Sequence, residues 1–120
     1  MAKNLIYDGA EGLRVVCSHP AAPDSGDPVR YGEATGVALV DEDSGGYTQV
    51  DFEPGRVWDL SVKGVNGSGN SAVAEGDKIY YVDADTPVLS KKDTGRFFGF
   101  AMETITSGAT DTIKVLKALA

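Results

Sequence analysis

Asp83 and Asp85 stand one residue apart in GDKIYYVDADTPV, Gly76 to Val88, directly after a run of β-forming residues. Two carboxylates so placed have two chemical uses: sharing a cation, or dividing the roles of acid and base. A calcium loop alternates oxygen ligands over about twelve residues and ends in glutamate. Thr86-Pro87-Val88-Leu89 breaks that pattern. Asp-Ala-Asp-Thr-Pro reads instead as a hairpin bend, since Asp favours turns and Pro87 restarts an extended chain. Asp41-Glu42-Asp43, ahead of Ser44-Gly45-Gly46, reads as a solvated loop, and nothing in its spacing fixes the separation that a paired-carboxylate hydrolase needs. His19 is the single histidine and lies in the proline-rich connection SHPAAPDSGDP. It has no partner at zinc-ligand spacing, and with Ser18 beside it in sequence it makes no triad. Cys17, the lone cysteine, has no internal disulfide partner and in LRVVC reads as an inward strand residue. GVNGSGNS, Gly64 to Ser71, lacks the Lys-Ser/Thr ending of a phosphate cradle, so its glycines read as flexibility. No catalytic residue, cofactor site or metal site emerges.

The elements that position these residues are short and β-rich. With 120 residues, 42% hydrophobic and 24% charged, the chain has the composition of one globular domain. No apolar run approaches the roughly 20 residues of a membrane span. MAKNLIYDGAEG has one lysine and no apolar core, which is unlike a secretory signal and implies synthesis and folding in a cytoplasm. Eighteen acidic against eleven basic residues give a net charge of −7, which argues against nucleic acid as a partner. Lys91-Lys92, beside Asp93, reads as a solvated turn.

Fifteen glycines and five prolines punctuate the chain at intervals typical of an all-β domain. Strands are expected near Leu13–Cys17, Pro28–Tyr31, Gly36–Val40, Tyr47–Phe52, Val57–Lys63, Lys78–Val82, Val88–Ser90, Phe97–Met102 and Thr112–Lys117. In VWDLSVK, Trp58, Leu60 and Val62 share one face, with Asp59, Ser61 and Lys63 opposite. In FFGFAM, Phe98, Phe100 and Met102 share one face, opposite Phe97, Gly99 and Ala101. One helical turn fits Asn70–Glu75, capped by Asn70 or Ser71 and ended by Gly76. GVNGSGNS reads as a long surface loop near mid-chain.

A degenerate repeat underlies this pattern. Gly26-Asp27-Pro28-Val29-Arg30-Tyr31 aligns with Gly76-Asp77-Lys78-Ile79-Tyr80-Tyr81 at a shift of 50, and Gly36-Val37-Ala38-Leu39 with Gly99-Phe100-Ala101-Met102 at a shift of 63. Ser44-Gly45 likewise matches Ser107-Gly108. The second copy therefore carries 13 extra residues between Tyr81 and Gly99, read as an additional hairpin. Gly26 and Gly76 supply an unusual backbone angle at strand entry, and Asp27 and Asp77 hydrogen-bond amides of the same turn. The fold expected is all-β: a small pseudo-symmetric β-barrel or β-clip/β-tulip-like domain with at most one short helix.

SGDPVRYG, TGVALVDED, VAEGDKIYYVDADTPVLS, GRFFGFAMET and GATDTIKVLK, in this order and spacing, resemble a family of small phage and prophage proteins. That family was long catalogued as a domain of unknown function and is regarded as capsid cement, or head decoration, proteins. SHPAAPDS and GVNGSGNS look longer than the family's pattern. The resemblance implies a non-enzymatic, cofactor-free β-rich body that binds the outside of a tailed-phage head and reinforces contacts between major capsid protein subunits. It also implies homotrimers, no membrane partner, and a location on the outer capsid surface of the virion. Residues 1–12 then read as an N-terminal arm and 13–120 as the body. Within the arm, Lys3, Asn4, Leu5, Ile6 and Tyr7 are candidate capsid contacts, adding a strand to an exposed sheet edge; alternatively Leu5, Ile6 and Tyr7 cover one end of the core. Competing readings are a head–tail or tail-associated β-barrel binding module and a small trimeric β-barrel hydrolase with carboxylates from different subunits.

Overall fold

The computed structural model describes residues 11–118, and Lys3 to Tyr7 lie outside that range. The described chain contains eleven strands and no helix. Its first half is built from β1 (Glu11–Val15), β2 (Pro28–Tyr31), β3 (Ala34–Ala38) and β4 (Thr48–Asp51), hydrogen-bonded in the order β1-β4-β3-β2. The second half contains β5 (Val57–Lys63), β8 (Lys78–Tyr81), β10 (Arg96–Ala101) and β11 (Thr110–Lys117) in the matching order β5-β11-β10-β8. β9 (Leu89–Ser90) lies between β5 and β8 and closes a five-stranded barrel. Glu11 and Gly12, within the span read as arm, belong to β1.

The repeat is visible in single hydrogen bonds. Gly26 N donates to Ala38 O at 2.8 Å, as Gly76 N does to Ala101 O at 2.7 Å. Ala38 N returns to Asp27 O and Ala101 N to Asp77 O, both at 2.9 Å. Gly36 and Gly99 are alike too. A Cβ at Gly36 would lie 2.7 Å from Asp51 O, and one at Gly99 would lie 2.0 Å from Leu116 O. Each glycine lets β3 or β10 press its backbone against the neighbouring strand. Ala38 opposes Val50 while Ala101 opposes Val115, so the last strands correspond at a shift of 65.

The 13-residue insertion explains why only one half is a closed barrel. It supplies β9, whose Ser90 pairs with Tyr80 and whose Leu89 pairs in parallel with Val62. At the position equivalent to Tyr80, Arg30 forms an isolated antiparallel bridge with His19. The first half thus stays an open sheet, and the chain leaving β1 reaches β2 only through this bridge.

Two apolar clusters result among the described residues. The larger fills the second half and takes in Val37 from β3; the smaller gathers Val29, Ala38, Val50 and Phe52. Cys17 is half-buried against the smaller one. β5 alternates as its sequence predicts, with Leu60 and Val62 buried and Asp59 and Ser61 exposed. β10 does not. A bulge between Phe97 and Gly99 on pairing with β8 adds one residue and shifts the side-chain phase. Phe98 and Ala101 therefore face the core, Phe97 and Phe100 touch each other edge-to-face at 5.4 Å, and Met102 is exposed.

Three local expectations are corrected. Asn70–Glu75 forms no helical turn, because Val73 exchanges backbone hydrogen bonds with Ile105, both at 3.0 Å. One helical turn is too weak locally to compete with that bridge. GVNGSGNS is not a plain loop: β6 (Val65–Asn66) and β7 (Gly69–Asn70) pair within it. Gly64 is there for space, since a Cβ would lie 2.7 Å from Thr106 O. Lys91 and Lys92 are half-buried and paired, Lys91 Nζ with Asp77 at 3.2 Å and Lys92 Nζ with Asp85 at 2.8 Å.

Candidate functional site

The Gly-Asp turns set where β2 and β8 begin. Gly26 takes φ +89° and Gly76 φ +86°, the left-handed region that glycine enters freely. Asp27 Oδ2 accepts from Asp24 N at 3.0 Å, and Asp77 Oδ2 from Ala74 N at 2.8 Å. That amide bond, with the Lys91 ammonium, holds the Asp77 carboxyl below the usual carboxylate range. Each turn launches a strand ending in a tyrosine, Tyr31 or Tyr81.

The two halves meet through equivalent residues. Glu33 and Arg96, one repeat apart, pair at 3.2 Å. Beside them Thr35 Oγ1 donates to Phe97 O at 2.9 Å. A contact between equivalent positions is what a twofold relation between the halves would give.

Elsewhere the halves are clamped by side chains. Tyr81 is fully buried, and its hydroxyl lies 2.6 Å from His19 Nδ1 of the first half. Burial pushes the phenol well above its ordinary range, and the Asp83 charge adds to this. Arg30 Nε and Nη2 donate to the two oxygens of Asp83 at 2.9 and 2.7 Å, a bidentate pair across the halves. These bonds hold the Asp83 carboxyl below the usual carboxylate range. A cleft of about 340 Å³ opens here, lined by His19, Asp27, Tyr81, Asp83 and Asp85.

Asp83 and Asp85 do form a turn, with Asp85 N donating to Val82 O at 3.2 Å. Asp83 is nevertheless more than a turn residue. Arg30 occupies it and Lys92 occupies Asp85, so neither carboxylate is poised as a general base or as a free ligand. No group of three or more His, Cys, Asp or Glu among the described residues is arranged to hold a metal ion.

An open groove of about 740 Å³ borders the Glu33–Arg96 contact. Leu13, Val15, Ala34, Phe52 and Phe97 form its apolar walls, with Glu33 and Arg96 at its polar edge. Tyr31 also lines it and is 49% exposed, whereas its repeat counterpart Tyr81 is 0% exposed. Lys117 also lines the groove, at 1% exposure, donating Nζ to Ala118 O at 2.9 Å with the Phe98 ring centroid 5.3 Å away. Burial lowers its ammonium to about 8, against the pull of the Asp51 charge. An amine so enclosed and bonded to backbone is not presented to a substrate.

Sequence reading located the turns at Gly26, Asp27, Gly76 and Asp77. It did not find the Arg30–Asp83 and His19–Tyr81 pairs or the groove. One signal was available. The repeat sets Arg30 opposite Tyr80, so a charge stands where the other copy carries an aromatic.

The sequence model of a family described as phage cement protein matches residues 6–116. No curated protein and no solved structure matches the chain.

Proposed function

The chain belongs to the phage cement protein family, and on that premise we propose that it binds the outer surface of a tailed-phage capsid. There it stabilises contacts between major capsid protein subunits as a non-enzymatic homotrimer, after synthesis in the host bacterial cytoplasm. The observation that carries this reading is the family match over residues 6–116. The clamp supports it: Asp83 and Asp85, the pair best spaced for chemistry, are bound by Arg30 and Lys92. They serve to hold the body together. A net charge of −7 disfavours nucleic acid as the partner. The N-terminal segment with Lys3, Asn4, Leu5, Ile6 and Tyr7 is the docking arm, adding a strand to a capsid sheet edge.

Co-sedimentation of the purified chain with undecorated heads and with isolated tails tests the proposal. Saturable binding to heads is expected. Binding to tails alone would make it a tail-associated module instead.

A further inference from the structure

The two halves are clamped together at Arg30–Asp83 and His19–Tyr81 and leave a larger, apolar groove between Tyr31, Phe52 and Phe97. Tyr81 is sealed by His19, while Tyr31 stands half-exposed over the groove. The groove's volume of about 740 Å³ falls within the about 300–1,000 Å³ typical of binding clefts. Its walls are apolar, and an apolar hollow of this kind gains by being covered.

The position of β1 indicates what covers it. Glu11 opposes Asp51, the residue next to Phe52 in the groove wall, and Leu13 and Val15 of the same strand line the groove. The chain preceding Glu11 therefore starts at the groove's edge. Leu5-Ile6-Tyr7 is a run of three apolar residues four to six positions earlier. At about 3.3–3.6 Å per extended residue, that tether spans about 13–22 Å. A segment tethered so closely has an effective concentration of the order of millimolar.

We propose that the groove is the seat of Leu5, Ile6 and Tyr7 of the same chain, keeping them from water until another surface takes up the segment. The seat stands without the capsid reading; only its release rests on that reading. Nuclear magnetic resonance of the isotope-labelled full chain, with no heads present, tests it separately from capsid binding. Cross-peaks are expected from the Leu5 and Ile6 methyls and the Tyr7 ring to Leu13, Val15 and Phe52. They should persist when labelled protein is diluted with unlabelled protein. Ala34 is exposed on the groove wall, so Ala34→Arg should abolish these cross-peaks while the signals of the barrel stay in place. Absence of the cross-peaks, their appearance to a different surface, or their survival in Ala34→Arg would overturn the proposal. Cross-peaks seen solely between labelled and unlabelled molecules would overturn it too, and would make a second copy the occupant.

Discussion

Asp83 shows how far one side chain's role can move once its neighbours are known. In sequence it is a turn residue, for which Asp83→Asn would shift stability by under about 0.5 kcal/mol. In the fold it receives both arms of Arg30 across the two halves, with the Arg30 side chain 15% exposed. Asp83→Asn should therefore destabilise by about 1–2 kcal/mol, a figure reduced for the solvent on one side of the pair. A double-mutant cycle of Arg30→Ala and Asp83→Ala, read by urea unfolding, should show clear coupling. The exposed Arg14–Asp43 pair should show none measurable. Equal coupling in the two cycles would return Asp83 to the role of a simple turn residue.

Titration gives a second residue-scale expectation. Asp43, Asp77 and Asp83 all sit below their ordinary range in the fold. Stability from these groups is present above about pH 4 and is lost as pH falls through their folded values. Lys117 has the opposite history. Its folded value near 8 lies below the ordinary 10.5, so above pH 8 the unfolded chain holds more protons and stability rises with pH. The full gain is on the order of 3 kcal/mol. Above about pH 10 Tyr81 opposes it, because unfolded tyrosine ionises there while the buried phenol does not. Melting curves from pH 8 to 10 should rise for the natural chain and fail to rise for Lys117→Met, in which the half-buried Cys17 thiol, pushed up by burial, acts in the opposite direction. A rise of equal size in the variant would detach the slope from Lys117.

At the scale of elements, the glycines separate two kinds of constraint. A side chain at Gly76 would meet nothing within 4 Å, but φ is +86°. Gly76→Val should cost about 1–3 kcal/mol from backbone strain alone. Gly99 has no such angle, yet a Cβ would overlap the Leu116 carbonyl at 2.0 Å. Gly99→Ala should thus be the more damaging, displacing β10 from β11. Chemical denaturation of the two variants checks the order, and a milder effect at Gly99 would contradict the close approach. Much of the element pattern was legible because Gly, Asp and β-branched residues act locally. Pro28–Tyr31 and Val57–Lys63 could be read to the residue. The bulge at Phe98 could not, since it depends on how β10 meets β8. The false helical turn at Asn70–Glu75 failed likewise, because the bridge from Val73 to Ile105 is long-range. The clamp was hidden for a similar reason: Arg30 and Asp83 are 53 residues apart, and no local pattern announces that they meet.

For the whole molecule, the repeat is the organising fact. Matching strand orders make two halves of one design, and the 13-residue insertion closes the second half with β9. The repeat was readable from Gly-Asp and Gly-x-Ala; which half would close was not, because a two-residue strand has almost no sequence signature. A body clamped in this way should fold without the proposed N-terminal arm. Deleting Ala2–Tyr7 should leave the body folded, lower the urea midpoint only by what seating Leu5, Ile6 and Tyr7 in the groove contributes, and weaken binding to heads at least tenfold. Binding of the full chain should also change little between low and moderate salt. Apolar and backbone contacts escape screening, which acts within about 8 Å at physiological ionic strength. Equal binding by full-length and truncated protein would return Leu5, Ile6 and Tyr7 to the core or the surface.

The body is proposed to sit on the outside of a phage head and to tie capsid subunits together. The most direct test is an electron-microscopy map of undecorated heads incubated with the purified chain. Added density of barrel shape is expected on the outer surface, in contact with at least two major capsid protein subunits at each occupied position. Heads that stay bare at saturating protein, or density resting on a single subunit, would contradict it.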